Sequence, residues 1–179
     1  VRVGVNPSYD ALDTIIKAHP DVFNHNIETV RSIFKTARPQ GDYDRSIEVL
    51  RYVKENSNIV TKSGLMVGLG ATHVDIGSAD NRKTTCLSCN SESASMYSSE
   101  LEEIEQTLVD LKNAGVDIVT IGQYIQPSKQ HLPVAKYYTL EEFEELKELA
   151  RKIGFKNFQI GPLVRSSYHA MASYETSLK

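Results

Sequence analysis

The stretch Ile59-Val-Thr-Lys-Ser-Gly-Leu-Met-Val-Gly68 is typical of a strand that ends in glycine. A helix-like segment precedes it at residues 44–55, with Ile47, Leu50 and Val53 at helical spacing. A strongly amphipathic segment follows it at residues 99–114. Because strand and helix periods alternate around this stretch, the sequence predicts a parallel sheet with right-handed crossover connections.

The same alternation continues towards both ends of the chain. The predicted strands are 1–5, 21–24, 59–68, 117–121 and 155–160, and the predicted helices are 9–18, 28–36, 44–55, 99–114 and 140–153. Thr139 is placed to cap the last helix, and Gly154 is suited to end it. The fold class is therefore α/β, with a closed or partly closed βα barrel as the expected architecture.

Polar and glycine-rich segments follow four of the predicted strands. They are Asn24-His25-Asn26, residues 64–70, Gln123-Tyr124-Ile125-Gln126, and the chain from Gly161 onward. In a βα barrel the binding groups lie at the carboxyl ends of the strands. These four segments are therefore expected to form one binding face.

Residues 73–98 break the alternation, because they have neither a helix nor a strand period and are rich in polar residues. They predict a surface loop that is either functional or a tolerated insertion. The loop carries Cys86 and Cys89, the only two cysteines of the chain. Two thiolates are half of a zinc or cluster site, and no second pair exists, so the pair is expected to be adventitious.

Composition excludes several classes of function. The chain is 40% hydrophobic with a net charge of −3, which favours neither a nucleic-acid surface nor a membrane surface. No apolar run reaches the roughly 18 residues that a membrane helix needs. Two cysteines do not make a secreted disulfide framework, so a reducing, intracellular compartment is expected. The chain begins within a predicted strand, which suggests a fragment.

Six segments, in order, resemble the lipoyl synthase family. They are Asp21-Val-Phe-Asn-His-Asn-Ile-Glu-Thr-Val30, Arg38-Pro-Gln-Gly-Asp-Tyr-Asp-Arg-Ser46, Thr61-Lys-Ser-Gly-Leu-Met-Val-Gly-Leu-Gly70, Thr120-Ile-Gly-Gln-Tyr-Ile-Gln-Pro-Ser128, His131-Leu-Pro-Val134 and Gly161-Pro-Leu-Val-Arg-Ser-Ser-Tyr-His169. The resemblance implies the C-terminal half of a partial (βα) barrel of the radical S-adenosylmethionine (SAM) type. It covers residues 1–170, with 73–98 inserted and 171–179 as a tail.

The resemblance also implies an activity. A lipoyl synthase uses SAM and two [4Fe-4S] clusters to insert sulfur at C6 and C8 of a protein-bound octanoyl group. Its partners are an octanoylated lipoyl-carrier domain or H protein and an electron donor such as flavodoxin or ferredoxin. Its location is the cytoplasm, or the mitochondrion or plastid in a eukaryote. Both cluster-binding cysteine motifs of the family are missing from this sequence, so we expect the isolated chain to be inactive.

Asn24, Asn26 and Glu28 follow a predicted strand, where amides and a carboxylate can hydrogen-bond the ribose or the amino acid end of SAM. For Asn26, helix capping is an equal alternative. Lys62 and Ser63 lie in an otherwise apolar strand. Because a buried charge is costly unless it is paired, Lys62 is expected to bind the SAM carboxylate or to form a structural ion pair.

The remaining candidates are glycines, amides and hydroxyls. Gly64 and Gly68 match the glycine pattern of a SAM-binding strand, since glycine lets the backbone approach a ligand. By resemblance, Gln123, Tyr124 and Gln126 contact adenine, Arg165 belongs to the cofactor site, and Ser166 or Ser167 ligates the auxiliary cluster. The alternative function is a non-catalytic βα domain that binds a ligand or a partner, favoured by the missing cysteines and by Ala71, where the family has glutamate.

Overall fold

Helices and strands alternate along the chain. The computed structural model describes residues 9–69 and 92–166. The elements in order are α1 (Tyr9–Lys17), β1 (Val22–Asn24), α2 (Arg31–Ala37), α3 (Tyr43–Asn56), β2 (Val60–Val67), α4 (Glu92–Asn113), β3 (Ile118–Gln123), α5 (Leu140–Ile153) and β4 (Asn157–Gly161). The four strands lie in the order β1-β2-β3-β4, and every neighbouring pair is parallel. The predicted α/β fold with a parallel sheet, as in part of a βα barrel, is confirmed.

The strand register separates two faces of the sheet. Lys62 lies opposite Asn24 and Ile118, while Gly64 lies opposite Thr120. Side chains alternate along a strand, so these residues share one face, which we call the inner face. Its members are Asn24, Lys62, Gly64, Met66, Ile118, Thr120, Gly122, Asn157, Gln159 and Gly161.

The opposite face of the sheet belongs to the main hydrophobic core. Its buried strand residues are Phe23, Leu65, Val67, Val119, Ile121 and Ile160, and buried helix residues of the same core include Leu50, Ile104, Leu108, Phe143 and Leu146. Burying one such side chain stabilises the fold by about 1.5–3 kcal/mol. This apolar set fixes which face the helices cover, and it leaves polar residues and glycines for the inner face.

Helix α5 begins and ends where the sequence predicts. The Thr139 side chain accepts a hydrogen bond from the Glu142 N–H, and the Glu142 carboxylate accepts one from the Thr139 N–H. At the other end, Gly154 has a φ of 99° and its N–H donates to the last turn. The local sequence therefore contains both boundary signals of this helix.

Replacing Thr139 by alanine is expected to lower the free energy of unfolding by about 1 kcal/mol, because the N–H of Glu142 loses its acceptor. Thr139→Ser keeps the hydroxyl and should stay close to wild type. Urea unfolding of both variants checks this prediction. Equal stability of the alanine and serine variants would show that the cap contributes nothing.

Helix α2 begins at Arg31, three residues later than predicted, so the proposed capping role of Asn26 is wrong. The N-cap of α2 is Val30, and no side chain caps this helix. The prediction missed that Glu28 pairs with β2. Its N–H donates to the carbonyl of Gly64 at 2.9 Å, and its carbonyl accepts from the N–H of Met66 at 2.8 Å.

The predicted loop at residues 73–98 is wrong in its last part, because α4 already begins at Glu92. The polar residues of this segment hid a helical start that continues directly into the amphipathic part of α4. The rest of the predicted loop, the predicted strand at residues 1–5 and the tail at 171–179 lie outside the described residues. No helix in the described part of the chain is long and apolar enough to cross a membrane.

Candidate functional site

Asn26 and Gly64 lie together at the end of β1. A Cβ atom at Gly64 would come within 2.9 Å of Asn26 Oδ1 and 3.0 Å of Thr120 Oγ1. Gly64 is therefore required for close packing of the Asn26 amide over β2. The Asn26 amide lies near enough to Glu28 to lower the pKa of its carboxyl group, while Oδ1 is buried and has no partner in the described part of the chain. This leaves one buried acceptor that a ligand can satisfy.

Lys62 is the second unsatisfied group of the inner face. Lys62 is only 2% exposed, and its Nζ is buried without a hydrogen-bond partner among residues 9–69 and 92–166. Burial lowers the pKa of this amine. The structural ion pair that was one alternative for Lys62 is not formed within these residues. A buried amine without a partner is costly, and an anionic ligand would remove that cost.

Glu28 lies at the edge of this site in a strained conformation. Its φ of 71° is unusual for a residue with a side chain. Burial raises the pKa of its carboxyl group, whereas the guanidinium of Arg38 and the amide of Asn26 lower it. The distance between Arg38 Nη1 and Glu28 Oε1 is 3.7 Å. Such strain is often stored at binding sites, where the surrounding structure fixes it.

Ser63 and Asn24, the other candidate residues of β1 and β2, lie on opposite faces of the sheet. Ser63 is buried on the helix-covered face, and its Oγ accepts a hydrogen bond from the Ile27 N–H at 3.1 Å. Ser63 thus fixes the segment that carries Asn26 and Glu28. Asn24 is exposed on the inner face, opposite Lys62. The predicted contacts of both residues with a ligand stay predictions.

Gln123 connects the exits of β2 and β3. Its Nε2 donates to the carbonyl of Lys136 at 2.9 Å, and its Oε1 accepts from the N–H of Tyr138 at 2.9 Å. Gly68 allows this connection, since a Cβ there would lie 2.2 Å from the Lys136 carbonyl oxygen. Gln123 and Gly68 therefore hold the loop after β3 in place.

Tyr124 and Gln126 belong to the same loop. The Tyr124 hydroxyl donates to the carbonyl of Leu132 at 2.7 Å, and Gln126 Nε2 donates to that of His131 at 2.8 Å. Their polar groups close the loop on itself. The contact of this loop with adenine stays a prediction.

The chain after β4 turns back over the inner face. A Cβ at Gly122 would lie 2.3 Å from the carbonyl oxygen of Val164. Arg165 Nη1 donates to that same oxygen at 2.8 Å, and Ser166 follows. We call residues 162–166 the C-terminal turn. It brings Val164 and Arg165 to the carboxyl end of β3, where Arg165 Nη1 donates to the Gln123 carbonyl at 3.5 Å. Ser167 lies outside the described residues.

Metal-binding side chains are not grouped in the described residues. No set of three or more His, Cys, Asp or Glu among them could hold a metal ion. Cys86, Cys89 and Ala71 lie outside these residues.

Sequence reasoning assigned no role to Arg38, Thr120 or Gly122. Thr120 and Gly122 occur in a segment quoted for the resemblance, and their alternation with Ile121 indicates a shared face. Arg38 begins another such segment, but its approach to Glu28 depends on tertiary structure.

Comparison with known proteins found many relatives named lipoyl synthase. This chain is 47% identical to that of Rubrobacter xylanophilus over 162 residues, which are 90% of the chain and 42% of the relative. It is 46% identical to that of Flavobacterium psychrophilum over 159 residues, which are 89% of this chain and 45% of the relative. The lipoyl synthase of Staphylococcus aureus (strain JH9) is 47% identical over 163 residues, which are 90% of this chain and 44% of the relative.

The chain thus spans less than half the length of these curated relatives. No family model matches it. The resemblance to lipoyl synthases is confirmed over about nine tenths of the chain.

Proposed function

We propose, from its similarity to lipoyl synthases along nine tenths of its length, that this chain supplies the SAM-binding part of such an enzyme in lipoate biosynthesis. The proposed reaction inserts two sulfur atoms at C6 and C8 of a protein-bound octanoyl group. The observation that carries the proposal is the unsatisfied pair on the inner face, Lys62 Nζ and Asn26 Oδ1. Asn26 Oδ1 lies over Gly64, where a side chain would not fit, and Lys62 lies two residues before Gly64 on the same face of β2.

The buried polar groups fit the amino acid end of SAM. The Lys62 amine donates to the carboxylate, and Asn26 Oδ1 accepts from the ammonium group. Glu28, next to Asn26, supplies a negative charge for the ammonium group or an acceptor for ribose hydroxyls. SAM, when bound and reduced, supplies the radical that removes hydrogen from the octanoyl chain. The role of these residues is to bind and orient it.

The iron–sulfur clusters need ligands that the described residues do not supply. Clusters need thiolates, and residues 9–69 and 92–166 contain no cysteine. These residues therefore do not fit a cluster by themselves. The six cysteines of the family's two motifs would have to come from sequence beyond the 179 residues, and we propose that the isolated chain is inactive. Ser166 or Ser167 is the proposed hydroxyl ligand of the auxiliary cluster.

The proposed partners follow from the same enzyme class. They are an octanoylated lipoyl-carrier domain or H protein and a one-electron donor of the flavodoxin or ferredoxin type.

A chimera tests the proposal. This chain would replace the 163 matching residues of the Staphylococcus aureus lipoyl synthase, so that the relative supplies the remaining sequence. After anaerobic reconstitution, the chimera should convert an octanoylated carrier peptide to its lipoyl form. Mass spectrometry of the peptide would detect the two added sulfur atoms.

Three proteins make the result interpretable. The unmodified relative is the positive control, and the 179-residue chain alone should form no product. A chimera carrying Asn26→Ala should lose most of the activity, because a contact to the ammonium group is removed. A chimera that binds iron and is folded, but neither cleaves SAM nor forms product, would contradict the proposal and favour the non-catalytic alternative.

A further inference from the structure

We infer that Arg38 is a positioning residue that holds the Glu28 carboxylate in its ligand-binding orientation. The inference rests on the proposed function, because it assigns Glu28 to the SAM site. Arg38 acts through Glu28, whose carboxylate lies 3.7 Å from its guanidinium, and is given no contact with SAM.

The backbone of Arg38 is fixed by a built turn. Its N–H donates to the carbonyl of Phe34 at 2.8 Å, and its carbonyl accepts from the N–H of Gly41 at 2.8 Å. A Cβ at Gly41 would lie 2.9 Å from the Phe34 ring and 3.2 Å from Arg38 Cβ. Lys35 Nζ also donates to the Gly41 carbonyl at 2.7 Å. The position of Arg38 beside the site is therefore determined by the structure around it.

The backbone of Glu28 is fixed as well. Its two hydrogen bonds to Gly64 and Met66 connect it to β2 on both sides. Its positive φ then directs where the side chain leaves the backbone. What remains free is the rotation of the carboxylate, and among the described residues Asn26 and Arg38 are the groups placed to restrict it.

Burial and the neighbouring polar groups have opposite effects on the pKa of the Glu28 carboxyl group. Burial of Glu28 raises the pKa of its carboxyl group, and the guanidinium of Arg38, from the end of α2, is the first influence that lowers it. The amide of Asn26 lowers it further. His25 also faces Arg38, but burial and that same guanidinium lower the pKa of the imidazole to about 4, so it carries no charge near neutral pH. Arg38 is thus a cation that favours the ionised form of Glu28 against the effect of burial.

Removing the guanidinium should shift the titration of Glu28 to higher pH. In the 179-residue chain with ¹³C-labelled glutamate, Arg38→Gln should move the Glu28 carboxyl titration upward, and the side-chain amide signal of Asn26 should follow it. Arg38→Lys keeps the charge and should largely restore the wild-type titration. Arg151→Gln, which removes an exposed arginine paired with Glu148 on α5, is the matched control and should change neither signal.

SAM affinity, measured by calorimetry between pH 5 and 8, gives the second readout. For Arg38→Gln, we expect affinity to fall about fivefold, the order of a partly exposed ion pair. The loss should be greatest at the pH where Glu28 is already protonated in Arg38→Gln but still ionised in the wild type. Arg38→Lys should bind more tightly than Arg38→Gln.

The two claims fail in different ways. If the wild-type chain does not bind SAM, the proposed SAM site is overturned, while the Glu28 titration still decides whether Arg38 positions that carboxylate. If the wild-type chain binds SAM, and Arg38→Gln binds equally well with an unchanged Glu28 titration, the inference about Arg38 is overturned.

Discussion

Gly122→Ala is expected to displace the C-terminal turn from β3 and to lower the free energy of unfolding by about 1–3 kcal/mol. An added Cβ would lie 2.3 Å from the carbonyl oxygen of Val164, far inside van der Waals contact with a backbone atom. It would also lie 3.4 Å from Arg165 Nη1. Since β3 is hydrogen-bonded on both sides in the sheet, the turn is the part that has to move.

The neighbouring Gly161→Ala is the matched control. Gly161 lies opposite Gly122 in the register of β3 and β4 and on the same face. Among the described residues, a Cβ there would meet only Val164 Cγ2 at 3.6 Å, an ordinary contact. Urea unfolding and the backbone NMR signals of Arg165 and Ser166 distinguish the two variants. Wild-type stability and unshifted turn signals in Gly122→Ala would refute the placement of the turn on Gly122.

Lys62→Met is expected to weaken SAM binding about 10- to 100-fold while making the free chain more stable. The loss of affinity is that of one buried hydrogen bond to a charged group, about 1.5–3 kcal/mol. The gain arises because methionine fills similar space without burying an amine that finds no partner in the described part of the chain, a change of about 1–3 kcal/mol. Opposite effects on binding and on stability are expected of a ligand-binding group, but not of a structural one.

Lys54→Met provides the contrast. Lys54 Nζ pairs with Asp117 at 2.8 Å, so its loss should destabilise the chain by about 1 kcal/mol. Calorimetric SAM titrations of the Lys62 and Lys54 variants measure the change in affinity, and urea unfolding measures the change in stability. The account of Lys62 fails if Lys62→Met binds SAM normally, or if it destabilises the chain as Lys54→Met does.

The pH dependence of stability gives the same test without a ligand. Burial lowers the pKa of Lys62 in the folded chain, so the unfolded chain binds more protons on this amine. Stability conferred by this residue therefore rises with pH, between the lowered pKa of the folded state and the ordinary lysine value. Lys62→Met should remove that rise.

Local signals in the sequence were sufficient for α5 and for the order of the elements. Thr139, Glu142 and Gly154 act within one turn of their own helix, so neighbouring residues contain the whole signal. The short, mostly apolar runs of β2 and β3, which are buried along almost their whole length, likewise predict their strands.

Tertiary contacts decided what the sequence could not predict. Glu28 favours a helix by its neighbours, yet it pairs with Gly64 and Met66, which lie nearly forty residues later. Lys62 was predicted to be paired or to bind a ligand, and only the fold shows that no described side chain reaches it. Gln123 was predicted to contact adenine, and only the fold shows that its amide also holds Lys136 and Tyr138.

Iron and sulfide content after anaerobic reconstitution tests the central claim most directly, namely that this chain is the SAM-binding part of a two-cluster enzyme. The 179-residue chain should stay colourless. The chimera with the Staphylococcus aureus relative should bind about eight irons, as two four-iron clusters require. A cluster bound by the 179-residue chain alone and lost on replacing Cys86 and Cys89 would contradict the account, as would a folded chimera that binds no iron.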